Sequence, residues 1–158
     1  MGSRSDIDLA YIAGFLDGDG SLMLQLKKRK DTKRGFRIMA TVCFYQDSRH
    51  EQSLYWIREV LNSGYISRRK DGMTELRING NNTVKAILNE LKPYIRFKKV
   101  QTIAMVKALI ILESDINLLS SKDLKDIVAN ILIIQNENYK SHKKRSVEDF
   151  YKILDLTP

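Results

Sequence analysis

The residues best suited to chemistry lie close together near the start of this 158-residue chain, in Ile12-Ala13-Gly14-Phe15-Leu16-Asp17-Gly18-Asp19-Gly20. Leu9, Ile12, Phe15 and Leu16 recur at helical spacing, so a helix capped by Asp8 and ended by Gly18 and Gly20 is expected to run to about Asp17. Asp17 and Asp19 then fall at its C-terminus, where the macrodipole is negative and a carboxylate is disfavoured. Two acids there call for a cation, and their hard oxygens suit Mg²⁺. Gly14 and Gly18, four residues apart, share one helix face and permit close approach of a second helix. With no internal repeat to provide that helix, the face most simply meets its own copy about a two-fold axis. Two Asp19 carboxylates would then converge, and repulsion with desolvation would raise one pKa unless a metal neutralises them. Two other readings stay open on spacing alone. Asp-Gly-Asp-Gly can be a plain capping turn, and Asp17, Asp19 and Ser21 match the first ligands of a calcium loop, although Leu22 and Lys28 then stand where that loop needs Gly and Glu.

The elements that follow must position those acids. In residues 21–27 the pattern alternates, with Leu22, Leu24 and Leu26 on one side and Met23, Gln25 and Lys27 on the other. After a charged turn carrying Arg29 and Gly35, the alternation resumes: Phe36, Ile38, Ala40, Val42 and Phe44 face one way, Arg37, Met39, Thr41 and Cys43 the other. This is a long hairpin. Ser48 with Glu51 reads as a capping box opening a helix that Gly64 stops. A second hairpin spans Tyr65 to Arg69 and Met73 to Ile78, pointing Ile66, Leu76 and Ile78 inward and Ser67, Arg69, Glu75 and Arg77 outward. Helices are expected over about 83–92, ending before Pro93, then 98–112, 121–138 and 146–155, the last two joined by the basic link Lys140 to Arg145.

The order αββαββα, then further helices, indicates an α+β domain with helices on one face of an antiparallel sheet. The chain reads as one domain, with residues 1–7 a flexible, tag-like lead, 8–112 the core and 113–158 C-terminal helices. Charge agrees with a polar second face. The chain carries +8, and residues 27–37 hold seven basic side chains against one acid. Arg68, Arg69, Lys70 and Arg77 form a second basic group, and Arg96, Lys98 and Lys99 a third. A polyanion is the natural partner. Nine strand residues at about 3.3 Å span about 30 Å, close to nine base pairs, and a two-stranded ribbon fits the major groove. No apolar stretch approaches the roughly 20 residues of a membrane span, the N-terminus lacks an apolar signal core, and the single Cys43 argues for a reducing, intracellular setting. Cys43, His50 and His142 lack the number and spacing of a zinc site.

With these residues in view, the chain resembles the LAGLIDADG homing endonucleases, of the single-motif, homodimeric kind encoded in introns of organellar ribosomal RNA genes. The resemblance rests on the nine-residue motif and both basic hairpins, from about Asp8 to Leu112. It implies a curved sheet saddling double-stranded DNA at a long, partly palindromic site, and hydrolysis of both strands across the minor groove with short 3′ overhangs. In that family the motif helices form the dimer interface, here Ala13, Gly14 and Asp17. The last motif acid, Asp19, and the carbonyl of Gly18 bind the catalytic divalent ion. Gln46 resembles the glutamine that helps place water and metal, and Lys98 the active-site lysine. His50 stands where an arginine is expected, so an imidazole replaces a fixed charge there.

The expected protein is therefore a Mg²⁺-dependent, site-specific DNA endonuclease, with Mn²⁺ able to substitute and Ca²⁺ binding without supporting cleavage. Met23, Gln25, Lys27, Arg29, Arg37, Met39, Thr41, Ser67, Arg69, Glu75 and Arg77 are its expected DNA contacts. No membrane or small-molecule substrate is expected, and the resemblance points to a chloroplast or mitochondrion as host. An intron RNA-binding maturase and a non-cleaving repressor are the alternatives; retention of Asp19, Gln46 and Lys98 favours the nuclease.

Overall fold

The computed structural model describes residues 4–138 and 144–158; His142 and most of the basic link lie outside them. Helix α1 spans Asp6–Asp19, and its cap is Ser5 rather than Asp8: the Ser5 side chain accepts from the Asp8 amide. The helix outlasts its expected end at Asp17 because the Gly20 amide still reaches the Leu16 carbonyl. Just before the helix, Arg4 is tied to other elements. Arg4 donates from Nε to the Val60 carbonyl at 2.8 Å and from Nη2 to the Leu61 carbonyl at 2.7 Å, and pairs with Glu90.

Strands β1 (Gly20–Lys28) and β2 (Phe36–Asp47) form the long hairpin, in register from Gly20 opposite Phe44 to Lys28 opposite Phe36. The second hairpin, β3 (Tyr65–Arg68) with β4 (Met73–Asn79), joins through β4, which lies antiparallel to β2. The result is one antiparallel sheet in the order β1-β2-β4-β3. Parity is shared across it. Even-numbered Leu22, Leu24, Leu26, Ile38, Val42, Phe44, Leu76 and Ile78 are buried against the helices, while odd-numbered residues form the opposite face. The expected α+β class and αββαββα order both hold.

The second helix begins differently from its expected capping box. Asp47, not Ser48, caps a 3₁₀ turn at Ser48–His50, accepting from the Arg49 amide. Helix α2 then spans Gln52–Leu61. Glu51 turns its carboxylate under the second hairpin, where it accepts from Thr74 Oγ1 at 2.8 Å and Arg68 Nε at 3.0 Å. Asn62, at φ 48°, ends α2 two residues before Gly64. Gly64 has a separate role: at φ 95°, its missing side chain avoids Ile78 and the Arg77 carbonyl, which would lie within 3 Å of a Cβ.

Helices α3 (Asn81–Leu91), α4 (Lys99–Ile111), α5 (Ser121–Glu137) and α6 (Val147–Leu154) complete the chain. Capping boxes Ser120/Asp123 and Ser146/Asp149 start the last two. The C-terminal segment also covers an exposed sheet edge. Asn138 Nδ2 donates to the Leu22 carbonyl at 3.0 Å and Arg145 Nη1 to the Leu26 carbonyl at 2.8 Å, satisfying outward groups of edge strand β1. Arg34, in the β1–β2 turn, binds the Asn117 and Leu119 carbonyls, each at 3.0 Å. Among the described residues no helix is long and apolar enough to cross a membrane.

Candidate active site and nucleic-acid interface

The end of α1 sorts its two aspartates into different tasks. Asp17 is buried, and its carboxylate accepts from the backbone amides of Arg96, at 2.7 Å, and Lys98, at 2.9 Å. Lys98 Nζ returns a bond of 2.7 Å to the Asp17 carbonyl. The segment entering α4 is thereby tied to the last turn of α1. Burial pushes the Lys98 ammonium below the ordinary lysine range, while Asp17 and Asp19 pull the other way. Asp19, in contrast, is exposed and ends a helix with no basic residue in its last turn. Gly18, also exposed, is in that same turn, where helix carbonyls lack intrahelical partners.

Gln46 lies two residues beyond Phe44, whose partner Gly20 is the first residue of β1 after α1. Its Oε1 accepts from the Asp47 amide at 2.9 Å, so its NH₂ is the group left for a ligand. His50 is exposed at the end of the 3₁₀ turn, near enough to act electrostatically on the Asp47 carboxylate. Arg49 grips that carboxylate more directly, through Nε at 3.0 Å and Nη2 at 2.8 Å.

The odd-numbered sheet face carries the expected contact residues. Gln25, Lys27, Arg29, Arg37 and Arg69 are exposed, and Met23, Met39, Ser67, Glu75 and Arg77 are half-buried. Thr41 is the correction. It lies on the expected face, but it is fully buried and donates to Asn79 Oδ1 at 2.8 Å, so Asn79 is the exposed member of that pair. Ser21, Tyr45 and Tyr65 also occupy this face, and the list of expected contacts lacks them. Alternation alone would have included all three, had the pattern been extended to the strand ends.

Of the three expected interface residues, the fold turns Ala13 and Asp17 inward and leaves Gly14 outward. Ile7 is 81% exposed and Tyr11 65%, and with Ala10, Gly14 and Gly18 they make one open stripe along α1. Phe97, beside Lys98, is 83% exposed. A Cβ at Gly14 or Gly18 would meet nothing within 4 Å, so packing inside this chain does not require either glycine.

A protein-family model described as LAGLIDADG endonuclease matches residues 12–109, from the motif helix through α4. This chain belongs to that family. Within it, the chain is 28% identical over 98 residues to DNA endonuclease I-CvuI of Chlorella vulgaris, a match covering 62% of this chain and 61% of that protein. It is 26% identical over 99 residues to DNA endonuclease I-CreI of Chlamydomonas reinhardtii, covering 63% and 60%. The aligned stretch thus spans about three-fifths of each relative's length. The fold agrees over a longer stretch than the sequence. I-CvuI, solved in complex with its target in the presence of Ca, superposes with a TM-score of 0.83 at 21% identity, covering 97% of this chain and 98% of that one. The archaeal intron-encoded I-Vdi141I, solved with DNA, gives 0.80 at 22% identity, covering 95% and 96%. Helices α5 and α6, beyond the family match, therefore belong to the same fold in this LAGLIDADG protein.

Proposed function

We propose that this LAGLIDADG protein is a site-specific endonuclease that hydrolyses both strands of a long, partly palindromic double-stranded DNA site, as a homodimer using Mg²⁺. The observation that carries the reading is the end of α1: an exposed Asp19 with a lysine fixed beside it, at the head of a basic, odd-residue sheet face. The donors fit a hard divalent cation. One copy offers the Asp19 carboxylate and the Gly18 carbonyl, and among the described residues no group of three or more His, Cys, Asp and Glu closes a metal site. The remaining donors would come from the second copy's aspartate and from DNA phosphates. A divalent ion bound there lowers the pKa of water and offsets charge on the leaving oxygen.

The other residues hold and polarise. Asp17 fixes the backbone that carries Lys98, and the Lys98 ammonium supplies positive charge where the transferring phosphate accumulates negative charge. The Gln46 NH₂ would orient water or a phosphate oxygen, its Oε1 being held by the Asp47 amide. His50 stands at the same end of β2. The open α1 stripe receives its own copy, which brings the two Asp19 residues together and matches a two-fold protein to a palindromic site. In this reading the product ends are short 3′ overhangs, Mn²⁺ substitutes for Mg²⁺, and Ca²⁺ supports binding alone.

In-vitro selection from a randomised DNA library, run with Mg²⁺ and with Ca²⁺, tests recognition and chemistry together. Asp19→Asn is expected to abolish cleavage of the selected site while leaving binding within a few-fold of the wild type. Full cutting by that variant would overturn the assignment, and tight binding without cleavage by the wild type would make the protein a repressor instead.

A further inference from the structure

We infer that the hydroxyl pair Ser21–Tyr45 is a specificity-determining element, donating one O–H to an acceptor on a base edge within about two base pairs of the bond the protein cuts. The inference deepens the endonuclease reading and rests on it. Ser21 Oγ and Tyr45 Oη are 3.0 Å apart on the odd-numbered face. Ser21 follows Asp19 by two residues, about 7 Å along a strand and about two base-pair steps along a duplex. Gly20, the residue after Asp19, pairs with Phe44, and Tyr45 is the next residue of the neighbouring strand. The pair therefore faces the centre of the target, inward of the arginines on the hairpin tips.

Proton counting shows what it can offer. Two hydroxyls bring two protons, and the bond between them uses one. The other has a weak acceptor within the chain, the Cys43 sulfur, which interacts with Tyr45 from two residues back on the same strand. Burial pushes both the Tyr45 phenol and the Cys43 thiol upward, so both stay protonated near neutrality. A base nitrogen or carbonyl oxygen is a better acceptor than a thiol and takes the spare proton on binding. A neutral hydroxyl releases no counterions, so its contribution goes to discrimination rather than to general affinity. The Ser21 bond fixes the phenol in advance.

The test is cleavage of a target library varied one base pair at a time, comparing wild type with Tyr45→Phe, Ser21→Ala and the double variant. Tyr45→Phe is expected to flatten the preference at one or two base pairs beside the cut by roughly tenfold or more, leaving the outer positions unchanged. Ser21→Ala weakens the same positions, and the double variant is no worse than Tyr45→Phe alone. An unchanged profile, or a uniform loss at every position as a phosphate contact would give, overturns the inference. If wild type cuts no member of the library, the nuclease reading fails on its own; the same library selected for binding in Ca²⁺ then decides the base contact by the same criteria.

Discussion

Three arginines on or beside the sheet face rest on acids of their own strand or turn. Arg77 Nε lies 3.2 Å from Glu75, Arg69 pairs with Asp71 at 2.8 Å, and Arg29 holds Asp31 through Nε at 2.9 Å and Nη2 at 2.8 Å. Arg29 keeps the Asp31 carboxyl down at about 2, so the acid is ionised under any condition in which DNA is bound. Alternation places Glu75 and Arg77 on one side of β4, and the turns bring Asp31 back to Arg29 and Asp71 back to Arg69. In the proposed complex, a guanidinium held this way would enter the groove already oriented. Arg77→Ala is expected to cost about 1–3 kcal/mol at particular base pairs, measured by competitive binding to single-substitution targets; equal loss on every target would identify Arg77 as a phosphate contact. The face of each arginine was legible in the sequence because strand parity depends on spacing alone. The fate of Thr41 was not, since burial by Asn79 depends on a neighbouring strand that contributes nothing to the local pattern.

Elements show the same division. Both hairpins and every helix announce themselves by periodicity, and Ser120/Asp123 and Ser146/Asp149 form the caps that the spacing implies. Ser48/Glu51 has a capping-box spacing and fails, because Arg68 and Thr74 give the Glu51 carboxylate stronger partners than a local amide. That carboxylate joins the start of α2 to the second hairpin, and Arg68 and Thr74 hold it at about 2, below its ordinary 4.5. A depressed carboxylate stabilises the fold above its unfolded value and loses that contribution as pH falls through the folded one. Thermal melts of the wild type should therefore show a stability loss between about pH 4.5 and 2 that Glu51→Gln lacks. Parallel pH curves for the two proteins would show that the pair is not formed in solution. Asp17 escaped the sequence for a similar reason. Its partners are amides about 80 residues further along, so its place at the helix end suggested a cation site, and the family resemblance an interface, while the fold uses it as a clasp.

At the scale of the whole molecule, two +8 copies would give a strongly positive assembly, suited to rapid capture of duplex DNA and to steep salt dependence. Gly14→Leu separates assembly from folding. A Cβ there meets open space, and replacing an exposed helical glycine gains about 0.5–1 kcal/mol, so the isolated chain should melt no lower than wild type. Sedimentation should nevertheless show it as a monomer; a persisting dimer would place the contact somewhere other than α1. The clasp at Asp17 gives this arrangement a mechanical side. Because both its carboxylate and its main-chain oxygen bind the stretch leading to Lys98, any tilt of the first helix drags the ammonium with it. In the proposed dimer, docking of the second copy on that helix would thus reach the ammonium in the same movement that completes the acidic pair. In the proposed dimer, by contrast with a solitary copy, the lysine beside each Asp19 gains the second aspartate that the reaction needs, so half-sites visited by one copy would be left intact.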